Sequence, residues 1–221
     1  MSYDIMIIDH HPRFIMKRLI HFLLLLAFMA TVQAQPALKN WRQLKTGDLI
    51  FHVAEEPNQI TDVTKGLDNR PIDHVAIFCI VDGAPCVVEA INRGVVITPI
   101  DSMRREGYFL VGRIKRNIDR KQSVENALAL VGHPYDHLFL PDNDAIYCSE
   151  LVQLAYVDKR GRRVFDTIPM SFHDESGRIT SYWQQFYAER GMEVPEGYPG
   201  TNPGELSRRK NVKIIYTLFL S

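Results

Sequence analysis

Excess charge of either sign is missing from this sequence: 26 Lys and Arg stand against 26 Asp and Glu, a formal net charge of +0. A balanced chain carries no electrostatic reason to seek a nucleic-acid partner, whose phosphates reward clustered positive charge. Low-complexity tracts and internal repeats are absent. Cysteine is scarce, with Cys79, Cys86 and Cys148 alone. None of them forms a CxxC pair, which argues against thiol–disulfide exchange by a vicinal dithiol. Long apolar runs are almost absent too. Leu19 to Val32, interrupted by His21 and Thr31, is shorter than the roughly 20 residues that a membrane-spanning helix needs.

That run has a different reading. Met16-Lys17-Arg18 supplies a positive start and Val32-Gln33-Ala34 a small-residue cleavage site, the pattern of a signal peptide cut after Ala34. The polar stretch Met1 to Ile15 is atypical in front of such a leader, so Met16 reads as the natural start. An uncleaved anchor is the competing reading, and no cysteine follows the run to support a lipidated N-terminus. Residues 35–221 then form one domain large enough for a sizeable core, periplasmic or secreted and with no stable membrane span after cleavage. The sequence leaves the oligomeric state open.

An odd cysteine count in an exported chain leaves at least one thiol unpaired within the monomer. Residues 74–81 (HVAIFCIV) and 86–91 (CVVEAI) are β-branched and apolar. Asp82-Gly83 between them is a strong two-residue hairpin turn. If Val81 faces Ala84, Cys79 lies directly across from Cys86, which suits either a bridge or two buried reduced thiols; Pro85 beside the turn is able to shift the register. Cys148 is the cysteine left over in both cases.

The same register makes His74 and Glu89 diagonal neighbours on one face of the hairpin. A carboxylate beside an imidazole fixes its tautomer and stabilises its protonated form, which makes an oriented base. A polar strand end beside a solvated glutamate is the plainer reading of the two residues on their own. Cys148 adds weight to the first. Leu151, Val152, Leu154 and Ala155 recur at helical spacing behind it, and Asp142, Asn143 and Asp144 precede it as a polar loop, so the thiol sits at or near a helix start. There the positive end of the helix dipole is expected to lower its pKa. A structural buried cysteine is the alternative.

Six segments in order, "LKTGDLIF" (44–51), "DHVAIF" (73–78), "VVEAI" (87–91), "GHPYD" (132–136), "YCSELV" (147–152) and "EGYPGTNPGEL" (196–206), resemble the YaeF/YiiX-like permuted papain-like amidases. These are relatives of the NlpC-type cell-wall peptidases and of the lecithin:retinol acyltransferases. The resemblance runs from about Trp41 to the C-terminus. It implies an α+β, circularly permuted papain-like fold, an antiparallel sheet packed against helices, with the histidine ahead of the cysteine in the chain. It also implies Cys148 as nucleophile, His74 as base and then acid, and Glu89 as third member. Tyr135 and Ser149 are candidates for substrate or oxyanion contact, with core packing the alternative for Tyr135. The expected reaction is amide hydrolysis through a thioester, on a cell-wall peptide or a lipid-linked amide; no metal or organic cofactor is required. Acyl transfer and a noncatalytic envelope-binding module are the alternatives.

Other candidates fit less well. His133 and His137 have the i, i+4 spacing of a zinc helix, but Pro134 lies between them and the Glu of H-E-x-x-H is missing. His52, read as following a strand, and His173, in a polar loop, are expected at the surface or behind the site. Glu150 in the first helical turn is expected to be structural. Residues 183–203 are rich in aromatics, Pro and Gly and read as a long ordered loop, the part behind the helix able to wall a substrate cleft. Ile179, Trp183, Phe186 and Tyr187 form a core stripe on a helix over 179–190, and 212–220 closes the domain as a strand.

Overall fold

A computed structural model describes residues 41–218 apart from 104 and 116. The leader, its cleavage site and the start at Met16 lie outside the described residues. Among the described residues no helix is long and apolar enough to cross a membrane.

Among the described residues eight strands and four α-helices follow one another. β1 (Leu49–Ala54), β2 (Ile72–Val81), β3 (Ala84–Ile91), β4 (Gly94–Pro99), β5 (Gly107–Ile114) and β8 (Val212–Leu218) form a six-stranded sheet in the order β4-β3-β2-β1-β5-β8. All of its pairings are antiparallel. Helices α1 (Arg120–Ala129) and α2 (Cys148–Ala155) belong to one face of the sheet; α3 (Ser181–Ala188) and α4 (Pro203–Arg208) follow later in the chain. β6 (Ile168–Pro169) and β7 (Pro199–Gly200) make a separate two-stranded ladder. This is the α+β architecture that the family resemblance implies.

The hairpin of β2 and β3 forms as its turn dictates. Asp82 and Gly83 both take positive φ, 49° and 79°, the backbone of a turn whose twist matches the flanking strands. Val81 pairs with Ala84 and Cys79 with Cys86, so Pro85 does not shift the register. Both cysteines are buried and free.

Two apolar layers cover the sheet. Leu49, Phe51, Val75, Ile77 and Val88 pack with Leu151, Val152 and Ala155 of α2. Ile50, Ala76, Phe78, Val87 and Phe109 on the other side pack with Leu44, Ile100 and Met103. Alternation along β1 explains the division, because a strand at the centre of a two-sided sheet buries both of its faces. A third cluster, Met170, Phe172, Trp183 and Tyr187, stands apart, and α3 supplies two of its members.

The motif "LKTGDLIF" enters β1 through Gly47, whose φ of 79° suits glycine. Asp48 behind it is fully buried and accepts from Arg113 Nε at 2.7 Å, Arg113 Nη2 at 2.6 Å and Lys45 N at 2.8 Å. These bonds tie the start of β1 to β5. Asp48→Ala breaks them and is expected to cost about 3 kcal/mol. Thermal unfolding should show this as a fall of about 10 °C in Tm.

Candidate active site

Helix α2 exists because Leu151, Val152 and Ala155 fall on one buried stripe against the sheet. Its start is sharp. Tyr147 is extended, and its N–H is accepted by Glu150 of the first turn at 3.3 Å, so Glu150 has the structural role expected of it. The Tyr147 hydroxyl accepts from Thr201 N at 2.9 Å, fixing the segment before α4 against the same helix end. Cys148 is therefore the first residue of α2, with 6% of its surface exposed.

The thiol is aimed at β2. The backbone N–H groups of Val75 and Ser149 act on Cys148 Sγ in the direction that favours its charged form. Val75 follows His74 directly, and the His74 Nε2–H donates to Glu89 Oε2 at 2.8 Å, so the diagonal neighbours read from the hairpin register do meet. Both side chains are buried. With Nε2 donating, Nδ1 of His74 carries the lone pair, and among the described residues it has no hydrogen-bond partner. The described contacts include no hydrogen bond between that ring and the Cys148 thiol.

Two residues that the sequence reading passed over complete the electrostatics. Arg105 Nη2 lies 3.6 Å from Glu89 Oε2, and its charge acts on His74, Glu89, Cys148 and Tyr135 alike. Asp73 acts on both His74 and Cys148. It is the extra residue of a bulge, since His52 pairs with His74 and Val53 with Ile72. His52 Nδ1 bonds Asp73 Oδ1 at 2.6 Å and its Nε2 meets Glu106 O at 2.8 Å. His52 thus lies within β1 and is buried, where the sequence placed it after a strand; its role is to hold Asp73. Arg105 sits in a loop before β5 and has no local pattern to separate it from a solvated cation.

Burial pushes the Cys148 thiol up to about 11, against the pull of Val75 N–H, Arg105 and Ser149 N–H. This reverses the direction expected from the helix dipole, because loss of solvent outweighs the partial charge of a helix end. Burial and Arg105 together hold His74 below its ordinary 6.5, although Glu89 and Asp73 favour its charged form. Burial works to raise Glu89, but His74 and Arg105 prevail and hold it at about 2. The resting site is then a neutral thiol, a neutral imidazole and an ionised carboxylate.

Tyr135 stands between two cavities. One holds Cys148 and Ser149 and is walled by Ile60, Phe139, Phe172 and Trp183. The other holds His74 with Asn92, Arg93 and Arg105. The loop carrying Tyr135 is fixed by Val95 N donating to His133 O at 2.9 Å beside Gly94, where a Cβ would come within 2.3 Å of that same oxygen. Asp136 accepts from Leu138 N and Leu140 N at 2.8 Å each, which directs Phe139 into the first cavity. Ser149 Oγ is buried and has no partner among the described residues. Thr201, Asn202 and Pro203 also line this cavity, so the segment expected to wall a cleft does so.

A family model described as permuted papain-like amidase enzyme, YaeF/YiiX, C92 family, matches residues 43–216. The chain belongs to that family. An uncharacterized protein of Escherichia coli (strain K12), YiiX, is 28% identical over 148 residues, covering 64% of this chain and 69% of YiiX. The crystal structure of metalloprotein YiiX from Escherichia coli O157:H7 matches with a TM-score of 0.63 at 20% identity, over 79% of this chain and 97% of that one. The fold is therefore the permuted papain-like one, and the chain is a cysteine amidase of the YaeF/YiiX kind.

The remaining candidates fall outside this amidase site. His133 and His137 are exposed, with His133 Nδ1 against Asp144 O and His137 against the Tyr135 ring. His173 pairs with Glu196 at 3.1 Å. The stretch 183–203 is not one long loop: residues 183–188 belong to α3, 199–200 form β7 and Pro203 opens α4, with irregular chain between them. Strand β8 runs through Leu218, and the rest of its expected length lies outside the described residues.

Proposed function

We propose that this chain is an exported hydrolase that opens amide bonds with Cys148 as nucleophile, His74 as proton shuttle and Glu89 as its orienter. The observation that carries the reading is the buried 2.8 Å bond from His74 Nε2 to Glu89. It leaves Nδ1 as the acceptor in the residue next to Val75, whose N–H acts on the Cys148 thiol. His74 Nδ1 takes the thiol proton as sulfur adds to the carbonyl carbon. The N–H groups at the start of α2 and the Ser149 hydroxyl, which has no partner among the described residues, hold the oxyanion. The C–N bond breaks as His74 returns the proton to the leaving nitrogen, giving a thioester and a free amine. Water then gives a proton to His74 and hydroxide to the thioester; the acid departs and the thiol is restored.

The YiiX neighbour is described as a metalloprotein. Among the described residues here, no three His, Cys, Asp or Glu side chains converge to hold a metal ion. Export rests on the leader pattern of residues 16–34, and the mature protein is expected to begin at Gln35.

The test is a panel of purified muropeptides, N-acyl amides and ester lipids, with Cys148→Ala as control. Release of amine with no acyl passed to an added acceptor is the expected result. Transfer to the acceptor would make the protein an acyltransferase. Silence toward every substrate, with no thioester trapped at Cys148, would leave a binding module.

A further inference from the structure

The two cavities flanking Tyr135 differ in chemistry, and the roles of Cys148 and His74 say which part of a substrate each receives. The acyl group stays on sulfur, so it lies on the Cys148 side. The leaving amine takes its proton from His74, so it lies on the His74 side. This step rests on the reading given under Proposed function.

On the sulfur side the walls are Phe139, Met170, Phe172 and Trp183, around a narrow space partly open to solvent. Apolar surface of this kind rewards an apolar group. The rings are braced from behind: Phe172 and Trp183 pack edge to face at 5.2 Å, and Phe139 and Trp183 at 5.7 Å. Such a preformed wall selects without much reordering on binding. On the imidazole side Arg93 and Arg105 border a space of about 620 Å3, also partly open. Arg105 offsets its charge against Glu89. Arg93 is exposed and has no ion pair among the described residues. Two guanidinium groups facing one opening fit an anionic oxygen group, which they bind with charge-assisted hydrogen bonds.

We infer that the substrate is an N-acyl amine of opposed ends, an apolar acyl group on the Cys148 side and, on the leaving amine, an anionic group held by Arg93 and Arg105. A carboxylate, as in an N-acylated amino acid, is the anion assigned; a phosphate offers the same oxygen chemistry. Water is the only co-reactant, and the products are the free acid and the anionic amine.

The experiment measures kcat/KM for acetyl, hexanoyl and decanoyl amides of glycine, O-phosphoethanolamine and glycinamide, alongside acylation of Cys148 by p-nitrophenyl hexanoate. Decanoyl-glycine is expected to exceed both acetyl-glycine and decanoyl-glycinamide by about tenfold or more. In Arg93→Gln the ratio of charged to neutral amine should fall toward one, and a ratio is insensitive to a uniform loss of activity. A preference for the phosphoethanolamine amides, also lost in Arg93→Gln, keeps the proposal and changes its anion from carboxylate to phosphate. Equal rates for charged and neutral amines, or for acetyl and decanoyl, overturn it and leave the amidase standing. Acylation by the ester with no amide cleaved also overturns it while leaving the thiol chemistry intact. Neither acylation nor cleavage removes the proposed function and this inference with it.

Discussion

Cys148→Ala is expected to lower amide turnover by roughly 10^4- to 10^6-fold, the scale on which removing a nucleophile acts when the other groups of its unit remain. Cys148→Ser should be nearly as damaging, because the hydroxyl is a far weaker nucleophile in the same place. Circular dichroism and Tm should change little, since one sulfur atom at the end of α2 contributes few contacts compared with Leu151 and Val152 deeper in the core. The protonation state gives this prediction a second measurement. A thiol pushed up to about 11 is thiolate in only about one molecule in ten thousand at neutral pH. Attack at neutral pH therefore requires His74 to remove the proton as the new bond forms. Iodoacetamide labelling of Cys148, mapped on the mature protein from about pH 5 to about pH 11, should climb through the alkaline range without a plateau below pH 8. A plateau below pH 8 would instead mean a preformed thiolate and a resting site of opposite charge pattern.

How much of this was legible beforehand depended on how local the determining signal was. The hairpin of β2 and β3 was readable because Asp82-Gly83 sets its turn and that turn sets its register, down to Cys79 across from Cys86. From the same register His74 and Glu89 could be placed together. The placement of β1 between β2 and β5 was not readable, because a fully buried strand shows no alternation and its partners are distant in sequence. For the same reason the bulge at Asp73 was invisible: it exists only in the pairing of β2 with β1, and it brings Asp73 and its brace His52 to the site.

The helix start at Cys148 was legible from the spacing of Leu151, Val152 and Ala155, but the depth at which that start is buried was not. Sequence shows a dipole and hides desolvation, so the direction of the thiol's pKa came out reversed. Arg105 was hidden for a related reason, since a loop cation becomes a site residue only when tertiary packing brings it to a buried carboxylate. The stretch 193–206 could be read as a cleft wall from its length, its aromatics and its three prolines, but its docking depends on partners distant in sequence: the pairing of β7 with β6, Met170 N to Tyr198 O and Thr201 N to the Tyr147 hydroxyl.

His74→Ala should cost roughly 10^3- to 10^5-fold in kcat/KM, as it removes both the base of the first half-reaction and the acid that releases the amine. The sharper experiment keeps the ring and moves its pKa. Activity needs the neutral imidazole, so the rate is lost as pH falls through the pKa of His74, and that acid limb should lie below about 6.5 because burial and Arg105 depress it. Glu89 favours the charged ring, so Glu89→Gln is expected to move the limb to still lower pH; the new amide oxygen can accept from Nε2–H, which keeps the tautomer and limits the loss of maximal rate to about tenfold. Arg105 disfavours the charged ring, so Arg105→Gln should move the limb upward. Two substitutions in one cluster that shift one limb in opposite directions would not arise from general damage to the fold. If both move it the same way, or neither moves it, the titrating group is not His74, and the base in this site must be sought elsewhere.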